Sequence, residues 1–567
     1  MRPGLLAALF ALTLPAALSA QAAPKDADAL RSWAVAVHPG VTAVHHKDLL
    51  REARALGWMS NPADSKRFKR LLREATRTRG AGRLLALADP APTPWQPGAL
   101  AGAEKEYNDS VAFANDAGVL TTAKTSINGS LNSAEVDSFR FQIVADGTVT
   151  FTGSAAGSAP YLEVANAMGD ELWGMAWLQG ISGTIDLPRG TYVARITGAR
   201  SPTTYKVDMS WAAKPIPTLA YTGNTQISVG QTVVPVRFVL PADGRVKLAL
   251  SSTNSADTYL WLVNDRWGYV FDVDDAGATS SDAGLDALLP KGTYYAYIQA
   301  FTSTTTTTIT ATFTAQTIPV LTAGKSATGT CPVGQEFMDT WAIPVGTNEA
   351  VTLTVAGSGT NAMPDPYMFV YDQAMGFVLE SDDDYNTSDS GITATMPAGV
   401  YYVASTSWNS SGSYTVSRKA GTGATTKALP GRNAGSIGGV DTAQTFTFSL
   451  LTPTKVEVAI VENTLWDAEV WVIDTKTTRA VTWMDESIDI ASCRTGGILP
   501  PGDYAVIVKD WNGSNGTFDL VLGMPMQRET GDRVWSWGEE ATSSSSSPRP
   551  SPSRRSTRCR ACATGSC

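Results

Sequence analysis

Apolar and polar residues alternate over short stretches of this chain, and the pattern restarts about every hundred residues. Each restart is marked by Pro, Gly and Tyr at alternate positions: Pro188, Gly190 and Tyr192; Pro290, Gly292 and Tyr294; Pro397, Gly399 and Tyr401; Pro500, Gly502 and Tyr504. The glycines lie 102, 107 and 103 residues apart. A period of that length is a whole domain rather than a solenoid unit. Pro and Gly predict a tight turn, and the period of two after Tyr predicts a strand buried on one face.

A second register repeats with the first. Tyr161 to Asn166, Tyr259 to Asn264, Tyr367 to Asp372 and Glu469 to Asp474 occupy the same place in each period. Leu162 and Val164, Leu260 and Leu262, Met368 and Val370, and Val470 and Val472 are apolar every time, so that face is predicted to point into a core. The opposite face varies: Glu163, Trp261, Phe369 and Trp471. Short strands, frequent turns and no helical periodicity between them predict an all-β chain of four tandem, jelly-roll-like β-sandwiches, over residues 104–212, 216–316, 318–420 and 425–525.

The flanks read differently. Residues 1–22 have Arg2, an apolar run from Leu5 to Leu18, and small residues at Ala20 and Ala22, the pattern of a cleaved export signal. At about 14 residues the run is too short to span a bilayer, and no later stretch is long enough, so no membrane span is expected in the mature chain. Residues 23–103 predict a basic helical segment ending in a linker that is proline-rich from Pro90 to Pro97. Phe68, Leu71, Leu72 and Ala75 form its apolar stripe. Residues 527–567 pass into a serine run, Ser543 to Ser547, followed by Pro, Arg and Cys, a composition that predicts disorder unless the tail is read out of frame.

Charge sharpens this division. Lys and Arg outnumber Asp and Glu 13 to 7 between Ala23 and Pro90, whereas from Ala91 to Arg528 the balance is 24 to 42. An acidic bulk is unsuited to nucleic acid, whose phosphates require cations. Five cysteines, none paired within a repeat, argue against a disulfide framework. Cys559 and Cys562 have knuckle spacing, but only Cys567 lies near, too few ligands for a closed zinc site.

The opening from Glu104 through Asn108, Asp109 and Ser110, the Val136, Asp137, Phe139 and Phe141 stretch, and the strand and turn elements above together resemble the bacterial pre-peptidase C-terminal domain family. That family is similar to the collagen-binding modules of clostridial collagenases. The resemblance implies secreted, non-catalytic β-sandwich modules, and carboxylates near the opening that can bind Ca2+.

Candidate calcium ligands are Asp272, Asp274 and Asp275, then Asp382, Asp383 and Asp384, and near the opening Glu104, Glu106, Asn108 and Asp109. Calcium takes six to eight oxygens, which clustered Asp and Asn on a turn can supply; the alternative is a solubilising acidic loop. Trp261, Phe369 and Trp471 are candidate ligand-binding residues, either as an open aromatic platform or as packing under a neighbour. No enzyme motif is found: His38, His45 and His46 are the only histidines, without a zinc-peptidase pattern, and no Gly-x-Ser-x-Gly elbow occurs. The expected function is therefore non-catalytic binding, at the cell surface or after secretion, to an extracellular protein or polysaccharide. The alternative is the remnant or C-terminal part of a secreted peptidase.

Overall fold

In the computed structural model the chain is described over residues 114–535, except for short stretches between strands, 274–281 and 382–388 among them. The export signal, the basic helical segment and the tail beyond 535 lie outside the described residues. The described part of the protein is all-β. Each repeat has two layers of sheet, one layer of the second repeat being continuous with one of the third, and a short strand pair, Pro525–Gln527 with Arg533–Trp535, follows the fourth.

In the first repeat a five-stranded sheet runs in the order Asn115–Val119, Asp137–Ile143, Gly190–Thr197, Tyr161–Asn166, Glu171–Ala176, and faces a four-stranded sheet, Thr125–Leu131, Thr203–Ala213, Gly147–Ala156, Ile181–Leu187. The second and fourth repeats have the same order, and the third differs in its first strand, reduced to a bridge between Val320 and Ala342. Five positions recur in each repeat and are named here by role. The entry strands are Asp137–Ile143, Val234–Leu240, Glu336–Val345 and Gln444–Leu450; the platform strands are Tyr161–Asn166, Thr258–Asn264, Pro366–Tyr371 and Ala468–Asp474. The hairpin strands are Glu171–Ala176, Tyr269–Val273, Phe377–Ser381 and Arg479–Asp485. The edge strands are Ile181–Leu187, Gly284–Leu289, Ser390–Met396 and Cys493–Leu499, and the turn strands open at Gly190, Gly292, Gly399 and Gly502.

The sequence motifs have structural causes. Each turn tyrosine donates its hydroxyl hydrogen bond back to the motif proline's carbonyl: Tyr192 to Pro188 at 2.6 Å, Tyr294 to Pro290 at 2.8 Å, Tyr401 to Pro397 at 3.0 Å and Tyr504 to Pro500 at 2.7 Å. The ring enters the core and the turn is locked by a group that would otherwise be buried without a partner. Burial raises the pKa of all four phenols above the usual tyrosine value. The Asn or Asp closing three platform strands caps the hairpin turn, with Asn264 accepting from the N–H of Arg266 and Gly268, Asp372 from Ala374 and Gly376, and Asp474 from Lys476. Leu162, Leu260, Met368 and Val470 all have 0% exposure, as the alternation predicts.

One core contact has a signature that is visible only once strands are paired. Tyr205, on Thr203–Ala213, donates to Asp137 at 2.6 Å, and Tyr414, on Gly412–Thr422, donates to Asp339 at 2.7 Å, each reaching the entry strand. Opposite these rings stand Gly129 and Gly329, and opposite Phe518 stands Gly435. A Cβ on Gly329 or Gly435 would overlap the facing ring. In the second repeat the ring is replaced by Thr307, and the residue opposite is Ile227.

Candidate functional site: the face between repeats

The variable face of the platform strand is where the repeats meet. Trp261, Phe369 and Trp471 are each 5% exposed or less. They do not form an open platform; of the two sequence readings, packing beneath a neighbour is the one found. The physical reason is that each repeat lays this face against the repeat before it. Trp261 stacks on Tyr297 with centroids 5.7 Å apart, and with Tyr259 and Val263 it joins the core cluster of the first repeat. Phe369 meets Phe271 of the preceding hairpin strand edge-on at 6.1 Å, and Tyr371 donates its hydroxyl to the Val270 carbonyl. Phe377 of the third repeat packs against both Trp471 and Trp483, at 6.1 and 5.0 Å.

The backbone makes the same junction each time. An edge strand pairs in parallel with the start of the next entry strand: Ile185 with Val233, Ala287 with Met338, and Thr393 with Thr442. Counted from the turn glycine on one side and the end of the entry strand on the other, all three share one register. Between the second and third repeats the pairing fuses two sheets into one of eight strands. Two junctions add the same side-chain bond: Thr340 Oγ1 donates to the Leu288 carbonyl at 2.6 Å, and Thr445 Oγ1 to the Thr395 carbonyl at 2.8 Å.

Charged groups also cross the junctions. Arg245 of the second repeat bridges Asp286 of its own sheet, at 3.0 Å, and Asp339 of the third repeat. The capping loops of three repeats bring Arg266, Asp372 and Arg479 near one another. Burial raises the Asp372 pKa despite the two N–H groups it accepts from, and burial followed by the charge of Arg479 lowers that of Arg266. Sequence reasoning missed this set, because each residue reads as an ordinary loop charge until the repeats are stacked.

The acidic candidates stand differently. Asp274, Asp275, Asp382, Asp383, Asp384, Glu104, Glu106, Asn108 and Asp109 lie outside the described residues; of Asp272 only the backbone is described, paired with Trp261. Among the described residues no group of three His, Cys, Asp or Glu is placed to hold a metal ion. The stretches holding the first two acidic sets are flanked by Asp282, which accepts from the Ser252 and Thr258 hydroxyls, and by Asp389, which accepts from the Gly357 N–H. Cys331 is buried, its sulfur 3.8 Å from the Pro332 carbonyl oxygen. No helix among the described residues is long and apolar enough to cross a membrane.

No family model matches the chain, and no curated protein matches it. Among solved structures it is similar to the pre-peptidase C-terminal domain of a collagenase from Bacillus anthracis, at 14% identity over 19% of this chain and 98% of that one, with a TM-score of 0.16. It is also similar to a CUB1-EGF-CUB2 fragment of human MASP-1/3, at 10% identity over 35% of this chain and 100% of that one (TM-score 0.11), and to tripeptidyl peptidase 2, at 8% identity over 53% and 24% (TM-score 0.17). Similarity at this level carries no argument about activity.

Proposed function

We propose that this is an exported, non-catalytic array of four pre-peptidase C-terminal-like modules, with boundaries near 104–212, 216–316, 318–420 and 425–525, that binds an extracellular polymer. The observation that carries this reading is the closure of the aromatic faces. With Trp261, Phe369 and Trp471 committed to contacts between repeats, recognition falls on the outward faces of the four-stranded sheets. In three repeats one strand of that face presents a row of short hydroxyls and amides: Ser126, Asn128 and Ser130, bordered by Asp208 and Lys206; Asn224, Gln226 and Ser228; and Ser326, Thr328 and Thr330, after the exposed Lys325. Beside the second row run Thr306, Thr310, Thr312 and Thr314, also exposed.

Such groups both donate and accept hydrogen bonds, as sugar hydroxyls do, and carry no charge. A neutral polysaccharide therefore suits these faces better than a basic protein. Weak contacts repeated along one array add through effective concentration, so affinity for a polymer would exceed that for a short oligomer by orders of magnitude. The test is retention on insoluble neutral glycans compared with matrix proteins. Retention should be lost when Thr306, Thr310 and Thr314 are all replaced by Lys, with the fold intact. Hydrolysis of casein or aryl esters by purified protein, abolished by a single substitution, would overturn the reading. Calcium at Asp272, Asp274, Asp275, Asp382, Asp383 and Asp384 belongs to the same proposal as a stabiliser. At 100 times its Kd it would add about 2.7 kcal/mol, and Asp274→Ala or Asp383→Ala would remove part of the rise in Tm.

A further inference from the structure

The first repeat carries the same junction face as the others but has no repeat before it. Strand registers make Glu163 equivalent to Trp261, Phe369 and Trp471; Arg195 to Tyr297, Ala404 and Ile507; Ala165 to Val263, Tyr371 and Ile473; and Val193 to Tyr295, Tyr402 and Ala505. On an open sheet these side chains would lie in water. Ala165 and Val193 are instead 0% exposed and Glu163 is 2%. Glu163 pairs with Arg195 at 2.5 Å, so a charged pair is buried where the later repeats have aromatic rings or aliphatic chains.

Ser138 supplies a second observation. Counted from the end of the entry strand, it occupies the position of Thr340 and Thr445, whose hydroxyls reach back to the preceding edge strand. Its own hydroxyl is buried and has no hydrogen-bond partner among the described residues. The first repeat thus has the donor for a junction without the strand that would accept from it. In a single chain the cover of such a face comes from the chain itself.

We propose that residues 23–103 cover the outer face of the first repeat, in the place a preceding repeat takes in the other three. Some eighty residues lie between the expected cleavage site and the start of this repeat, a length of chain from which a cover can be drawn. The stripe Phe68, Leu71, Leu72 and Ala75 is apolar and suits Ala165 and Val193, while the Lys and Arg around it suit the rim of an acidic array. The segment is then a cap that closes the socket of the array. This inference is independent of the ligand.

The test is made in the full chain with Val193→Cys, a small volume change, and maleimide labelling read residue by residue in peptide maps. Labelling should be slow, and should become at least tenfold faster when Leu71→Asp and Leu72→Asp are added. Tyr295→Cys, at the equivalent site covered by the first repeat, should not respond to the change at 71 and 72. Rapid labelling without the Asp substitutions would overturn the proposal by showing an open face. Slow labelling that persists with them would also overturn it, assigning the cover to another part of the chain. Shielding that disappears on dilution would overturn it in favour of a second copy. A fourth measurement needs no substitution. After proteolytic cleavage within 90–102 the N-terminal piece should co-elute with the array at micromolar concentration, and separate elution would count against the cap.

Discussion

The first two repeats present the same sheet face with opposite chemistry. At paired positions the first has Glu163 and Arg195, an ion pair, and the second has Trp261 and Tyr297, a stack. Both pairs are largely buried, so the difference lies in what each gains from burial. A large aromatic ring removes 150–250 Å² from water, on the order of 4–6 kcal/mol at about 25 cal/mol per Å². A buried ion pair roughly breaks even, since desolvation offsets the Coulomb attraction. One face is therefore a source of cohesion, while the ion pair of the other adds little of its own to the grip on its cover. The fourth repeat combines the two, with Lys509 pairing with Glu469 and standing 5.8 Å over the ring of Trp471.

The largest effect that would break this comparison is at Trp261. Trp261→Ala should cost about 3–5 kcal/mol by leaving a cavity between the first two repeats. Calorimetry should then show the first repeat melting ahead of the rest; one unchanged transition would mean the stack contributes little. Next comes Gly399, where an added Cβ would strike Cγ2 of Thr478 in the fourth repeat. Gly399→Val should destabilise by about 1–3 kcal/mol through overpacking, separating the fourth repeat in the same experiment. Its counterpart Gly502, whose nearest neighbour is its own Tyr504 ring, should tolerate Ala with a smaller loss.

A smaller effect is expected from the turn tyrosines. Tyr294→Phe leaves the Pro290 carbonyl without its donor and should cost about 1 kcal/mol at neutral pH. Its pH dependence gives a sign. The folded pKa is raised, so the folded state retains the phenolic proton after the unfolded chain has lost it, and stability falls as pH rises above about 10. Chemical denaturation between pH 9 and 11 should show a shallower fall for Tyr294→Phe than for the parent; an equal slope would assign the alkaline loss elsewhere. Smallest of all is the joint replacement Glu163→Leu with Arg195→Met, which should leave Tm unchanged or slightly raised. A loss above about 2 kcal/mol would show that the ion pair holds this face together after all.

The repeats and their core register were legible because a period of two fixes which side of a strand is apolar, and Leu162, Leu260, Met368 and Val470 obey it. The fate of the other side was not. Alternation places Trp261, Phe369 and Trp471 opposite the core, but whether water or another repeat lies over them depends on how repeats stack, to which strand periodicity is blind. The burial of Glu163 was less legible still, since nothing local distinguishes it from a solvated carboxylate. A usable hint was the size of the aromatic residues themselves, three large rings at one position in successive repeats. Gly129, Gly329 and Gly435 show the same limit: they read as loose strand residues until pairing sets the first two across from Tyr205 and Tyr414, and the third across from Phe518.

The shared register of the three junctions has a consequence for how such a chain can change length. Each contact joins two different surfaces, an edge strand and an entry strand, so one operation carries each repeat onto the next and nothing in the geometry closes the series. Removing one full period, from a position in the second repeat to its equivalent in the third, would bring together an edge strand and an entry strand that already fit. Repeat number is then a quantity that duplication and deletion can alter without redesigning a contact, provided that the faces keep large apolar side chains. Only the first face, with its ion pair, is specialised for a place in the order.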